Sequence, residues 1–118
     1  MDPAELREYV DSYDRRKATR LAERRATAAR AAALVPMLAA ACRRRGARRV
    51  RLFGSLVTGE HGDTPDVDLA IEGLPPDQFF DLLAEVTRAA SPIDVDLVEL
   101  ELASPGLRAR IEADGIDT

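Results

Sequence analysis

The run Arg49-Val50-Arg51-Leu52-Phe53-Gly54-Ser55, followed after ten residues (Leu56 to Pro65) by Asp66-Val67-Asp68-Leu69-Ala70-Ile71, decides how this chain of 118 residues folds. Its first half alternates apolar with charged residues and reads as a strand that stops at Gly54-Ser55. The ten residues between read as a loop carrying Gly and Thr. The second half reads as another strand, with Asp66 and Asp68 on one face and Val67 and Leu69 on the other. Further on, behind Pro92, Ile93-Asp94-Val95-Asp96-Leu97-Val98 repeats the arrangement in a third strand. Two carboxylate pairs therefore ride on strands otherwise built for burial.

If those two strands are neighbours, several negative charges converge within a few ångströms. Their repulsion costs kcal/mol unless protons or cations compensate. A hard divalent cation is the natural remedy, and an all-oxygen site completed by phosphate and water is what Mg²⁺ prefers. Gly54 at a strand end lets a backbone or a phosphate come close, and Ser55 offers an anion a hydroxyl and N–H groups. A phosphate grip beside a carboxylate metal site equips a protein for phosphoryl or nucleotidyl transfer.

Outward from this centre the chain is mostly helical. Asp2 before Pro3 is a helix start, and residues to Arg45 are Ala, Arg, Glu and Leu in bulk, with Gly46 as the stop. Pro36 is expected to kink or divide this helix near Leu34 and Val35. Leu34, Leu38, Ala41 and Cys42 form a stripe for a core, whereas Leu6, Tyr9, Val10, Tyr13 and Leu21 are the large apolar residues of the first part. Unbroken, the helix would measure about 65 Å, twice the width of the domain it serves, so part of it must overhang. Residues 1–33 are thus expected to be a helical arm and 34–118 the domain. Pro75-Pro76 open a helix with Phe79, Leu82, Leu83 and Val86 on one face, and Ser104-Pro105 open a last one through Leu107 and Ile111. The sum is an α+β fold, a small mixed sheet covered by helices.

Composition narrows the function. No apolar run can span a bilayer, the N-terminus lacks the pattern of a secretory signal, and a lone Cys42 cannot form an internal disulfide. A cytoplasmic protein is expected. The net charge of −4 hides a division: residues 1–51 hold fourteen Lys and Arg against six acids, and residues 52–118 hold three against fifteen. The basic half is interspersed with Glu and Asp and has no aromatic interleaving, so direct nucleic-acid binding is not expected. His61, without Cys or His partners, reads as a loop residue, and Cys42 as core packing.

Gly54-Ser55, ten residues, then Asp66-x-Asp68, with a later strand aspartate in Val95-Asp96-Leu97-Val98, resembles the minimal nucleotidyltransferase (MNT) family of the DNA polymerase β superfamily. The resemblance covers Val50 to about Ile116, including a closing helix and turn at 111–115. It implies the polymerase β-like fold, with Asp66, Asp68 and Asp96 as catalytic residues holding two Mg²⁺ ions and Gly54 and Ser55 holding the triphosphate of ATP. Asp94 is the rival for the third place; the Val-Asp-Leu-Val context favours Asp96. Two positions depart from the family pattern, Leu56 where many relatives carry Arg and Pro65 where Ser is frequent, and neither belongs to the aspartate set.

Small stand-alone members of that family are commonly paired with HEPN-domain RNase toxins. The resemblance accordingly implies an antitoxin that moves AMP from ATP onto a toxin tyrosine, and the lack of a substrate-binding domain suits a protein substrate. The alternatives are a non-catalytic antitoxin that neutralises its partner by contact, and nucleotidyl transfer to a small molecule or an RNA end. The patch of Tyr9 and Tyr13 beside Leu6 and Val10 marks the arm as an interaction element, for a partner or for a homo-oligomer.

Overall fold

The computed structural model describes residues 1–60 and 65–118; His61 lies outside them. Helix α1 runs from Pro3 to Arg44, 42 residues. Its start is the expected one, with Glu5 N–H donating to Asp2 Oδ1 at 2.9 Å and Pro3 in the first turn. Its end is a Schellman closure: Gly46, at φ 113°, donates to Arg43 O at 3.0 Å, and Ala47 donates to Cys42 O at 3.1 Å.

The division expected at Pro36 does not occur. Pro36 sits on the exposed side of α1, while Ala31, Val35, Leu38, Ala39, Ala41 and Cys42 are buried on both sides of it. Packing of the flanking turns outweighs the roughly 3 kcal/mol that an interior proline costs. At 1.5 Å per residue α1 is about 63 Å long, and the whole molecule measures 67 × 29 × 19 Å. The overhang is therefore real: no residue before Ala31 is buried.

Strand β1 (Arg49–Phe53) leads into a short helix α2 (Ser55–Thr58), then β2 (Val67–Glu72). A 3-10 turn at Pro76–Gln78 opens α3 (Phe79–Ala90), which returns to β3 (Val95–Glu99). A second such turn, Leu100–Leu102, precedes α4 (Pro105–Asp114), with Ser104 accepting from Leu107 N–H, and the chain closes in β4 (Ile116–Asp117). The sheet order is β3-β2-β1-β4, with β2 and β3 parallel and the other pairs antiparallel. Three details differ from expectation. β2 and β3 begin one residue after Asp66 and Asp94 respectively; α2 occupies part of what reads as loop; and the terminal turn continues into β4, too short to carry a periodic signal.

Alternation along the strands divides the sheet into two faces. Val50, Val67, Leu69, Ile71 and Leu97 pack with α1 and α3 through Leu38, Cys42, Leu82 and Val86. On the other face Ala70, Leu100 and Ile111 gather Phe53, Val98 and Leu107 under α4. The same alternation places Asp68 and Asp96 on this second face, away from α1.

The two charge halves meet in ion pairs at the domain's base. Arg44 and Arg45 reach Glu85 at 2.9 Å each, and Arg49 stands 3.2 Å from Glu112 and from Asp117. Arg51, the one buried charged residue among those described, donates to Asp117 Oδ1 at 2.9 Å and to Gly115 O. With Thr118 N–H on Val50 O and the Arg43 guanidinium on Thr118 O, these contacts fasten the C-terminal segment to β1. Cys42 is fully buried, and burial pushes its thiol up to about 11. Among the described residues no helix is long and apolar enough to cross a membrane.

The distribution of burial along α1 gives a direct expectation. Leu38→Ala, at a fully buried site, should lower the unfolding free energy by about 2–5 kcal/mol, whereas Leu21→Ala on the overhang should change it by under about 0.5 kcal/mol. Urea denaturation of the two variants measures the contrast; equal losses would mean that the overhang is part of the folded core.

Candidate active site

Three elements bring the site together. In β2, Asp68 has Phe53 of β1 as its neighbour on one side and Asp96 of β3 on the other. Asp66 precedes β2 by a single residue, so its backbone position is set by the strand it enters. The parallel register makes Asp96 the partner of Asp68; Asp94 lies just outside β3, where its carbonyl accepts from Val67 N–H at 2.9 Å.

Gly54 is fixed by two constraints at once. Its φ of 76° belongs to the left-handed region that disfavours side chains, and a Cβ there would stand 2.2 Å from Asp68 Oδ2. The group admitted by the missing side chain is therefore the Asp68 carboxylate. Gly54 also caps α2: its carbonyl accepts from Val57 and Thr58 N–H, both at 3.1 Å, and Ser55 is the first helical residue. Gly59, at φ 78°, ends the helix. A carboxylate, a bare glycine and the opening turn of α2 thus share one spot.

The electrostatics follow from this crowding. Burial first, then the charges of Asp96 and Asp66, push the Asp68 carboxyl up to about 6. The charges of Asp96 and Asp66 thus both bear on Asp68, and repulsion of that kind is what a divalent cation relieves. Among the described residues no three His, Cys, Asp or Glu side chains are grouped so as to hold a metal ion. Asp68 and Asp96 lie on adjoining strands and Asp66 directly ahead of β2, and all three offer oxygen alone, the donor type that Mg²⁺ takes together with phosphate and water.

Beside the set lies a cavity of about 500 Å³ whose walls include Thr27, Arg30, Leu34, Asp66 and Asp94. Asp66 borders both places, while Asp94 faces this cavity. Within α1, Arg30 Nη2 donates to Thr27 Oγ1 at 3.0 Å. The approach of Thr27 and Arg30 to the aspartates escapes sequence reasoning, because only the tertiary packing of α1 brings residues so far apart in the chain together. The start of α2 has a local signal, Gly54-Ser55 ahead and Gly59 behind, that a loop reading overlooks.

The family described as polymerase beta, nucleotidyltransferase, matches residues 39–117. A toxin–antitoxin crystal structure with AMP-PNP is similar in fold, with a TM-score of 0.58, 26% identity, and 68% of each chain covered. A mutant MntA–HpeT toxin–antitoxin gives 0.58 and 26%, over 70% of this chain and 69% of that one. A structure described as a minimal nucleotidyltransferase gives 0.59 and 27%, over 69% of this chain and 85% of the other. No curated protein matches the chain.

The raised Asp68 carboxyl links the site to stability. Its usual value is 3.8 and its folded value about 6, so the stability it contributes is full below the lower value and is lost as pH rises through the higher one. Without added metal, Asp68→Asn should melt several degrees above the unsubstituted protein at pH 7.5, for a gain of about 1–2 kcal/mol after solvent screening. The gap should close by about pH 4. Differential scanning calorimetry across that range checks it, and a gap independent of pH would contradict the assignment.

Proposed function

The chain belongs to the polymerase β nucleotidyltransferase family, and on that footing we propose that it is a Mg²⁺-dependent protein adenylyltransferase, transferring AMP from ATP to a tyrosine of a partner HEPN-type toxin and so acting as its antitoxin. The observation that carries the catalytic half is the parallel pairing of Asp68 with Asp96, beside Asp66 and under Gly54. The likeness to a toxin–antitoxin solved with AMP-PNP supports the choice of nucleotide and of partner.

Two Mg²⁺ ions held by Asp66, Asp68 and Asp96 would supply charge neutralisation on the phosphates and on the entering oxygen. The chain's own residues have distinct tasks. Asp66 and Asp68 present carboxylate oxygens toward the triphosphate side. Asp96, on the exposed outer strand β3, accepts the hydrogen bond of the acceptor hydroxyl and aims its oxygen at the α-phosphorus. Gly54 keeps the Asp68 carboxylate in place by leaving it room, and Ser55 meets the phosphates with the first turn of α2. The new P–O bond forms as the bond to pyrophosphate breaks, in line, and the hydroxyl proton leaves through the Asp96 carboxylate.

Label from α-³²P-ATP should pass to a tyrosine of the partner toxin in the presence of Mg²⁺, stop on addition of EDTA, and fall more than about 100-fold in Asp68→Ala and Asp96→Ala. Transfer by Asp68→Ala equal to that of the unsubstituted protein would overturn the catalytic assignment. Protection of cells by that same variant, with no label transferred, would point instead to neutralisation by contact. Label appearing only on RNA or on a small molecule would replace the acceptor.

A further inference from the structure

The sheet is closed at one end and open at the other. β4 and Thr118 pair with the outer side of β1, whereas β3, at the other end of the order β3-β2-β1-β4, has a strand on one side alone among the described residues. Its backbone groups divide accordingly. Val67 N–H donates to Asp94 O, so in this parallel register Asp96 and Val98 turn their N–H and C=O toward β2, and Val95, Leu97 and Glu99 turn theirs outward. No described residue bonds to those outward groups. A strand edge in that state is a template for another strand.

An apolar groove follows the same edge. A cavity of about 850 Å³ is lined by Leu97 and Val98 of β3, by Phe79 and Phe80 of α3, and by Leu102 and Leu107. Leu97 and Phe79 belong to the α3 face of the sheet and Val98 and Leu107 to the α4 face, so the cavity reaches round the edge from one face to the other. Phe80 and Leu102 are each 79% exposed, and Phe80 stands edge-on to Phe79 with ring centroids 5.4 Å apart. An added strand sends alternate side chains to the two faces, which is the division this groove offers. Charge then selects the strand. The stretches that build the edge and the groove, 76–83 and 94–107, hold six acids and no Lys, Arg or His. A second copy of this chain, edge to edge, would set six acids against six and is disfavoured. We propose that the β3 edge and its groove dock an extended, basic and apolar segment of the acceptor protein, which adds to the sheet as a further strand.

Register then places the acceptor hydroxyl. Asp68 and Asp96 are level neighbours on the α4 face. The residue of the added strand that is level with Asp96 points its side chain to that same face, its Cβ about 4.5–5.5 Å from that of Asp96. A tyrosine at that position stands next in the row to the carboxylate that takes its proton. This placement rests on the adenylyl-transfer reading above, whereas the docking of a strand does not.

The probe is a capped, fluorescent peptide, Lys-Arg-Val-Leu-Tyr-Val-Leu-Arg-Lys, offered to the full chain without nucleotide. By fluorescence anisotropy it should bind with a Kd below about 100 µM, and a variant carrying both Phe80→Lys and Leu102→Lys should bind it at least about tenfold more weakly. Both positions are exposed, so circular dichroism should show that variant folded. A peptide with Glu in place of every Lys and Arg should not bind. In the complex, hydrogen exchange of the Val95, Leu97 and Glu99 amides should slow at least about tenfold, while Asp96 and Val98, already bonded to β2, change little. With Mg²⁺ and α-³²P-ATP the bound peptide should take label on its tyrosine. Absence of binding, equal binding by the double variant, unchanged exchange at the three outward amides, or their protection by self-association of the chain without peptide would each overturn the docking edge. Docking without label on the peptide, where the partner toxin is labelled, would overturn the placement of the hydroxyl. Failure of both to take label would count against adenylyl transfer and leave the docking edge standing.

Discussion

A half-buried carboxylate with a second carboxylate for a neighbour sets the terms for the rest of this molecule. Asp68 sits on an inner strand of a four-stranded sheet, beside Asp96, with its oxygen where a Gly54 side chain would otherwise be. These aspartates stand side by side through the register of β2 and β3, which run parallel, and a parallel pair requires a crossover. α3 supplies it and packs with α1 on the opposite face, where the larger hydrophobic cluster lies, while a smaller cluster with Ala70, Phe53 and Val98 shares the aspartates' face under α4. The left-handed glycine and the crossover helix answer a single demand: to hold repelling charges close on a rigid sheet.

Much of this was legible in the residues themselves, because period-two alternation specifies both a strand and its faces. Asp66-Val67-Asp68-Leu69 and Asp94-Val95-Asp96-Leu97 could be read as acids opposite apolar residues, and the structure places Val67, Leu69 and Leu97 in the core. What stayed hidden depended on contacts rather than pattern. Pro36 reads as a kink or a division, but α1 runs undivided through it, with buried residues on either side. β4 is two residues long and exists because Arg49 and Arg51 engage Asp117. Gly54 reads as room for a phosphate, whereas the nearest group to its missing Cβ is a carboxylate of the protein itself. The choice between Asp94 and Asp96 turns on register, which a sequence does not display.

The division of charge along the chain proves to have two components. Arg44, Arg45, Arg49 and Arg51 are spent inside the domain, where Glu85, Glu112 and Asp117 meet them. Most of these pairs are exposed and add little stability individually; those of Arg49 and Arg51 with Asp117 hold the chain's last residues to β1, and those of Arg44 and Arg45 join the end of α1 to α3. The arm is different: residues 1–14 hold five acids and one Arg, and residues 15–30 hold seven Lys or Arg and one acid.

Cys42 shows how a residue's setting changes what it reports. Its presence as the lone cysteine is an argument about compartment when only composition is in view. Seated under α3 with its thiol pushed up to about 11, it stays neutral at physiological pH and out of reach of oxidants and alkylating reagents. The chain therefore offers no accessible thiol of its own, and a cysteine introduced on its surface becomes its sole reactive thiol.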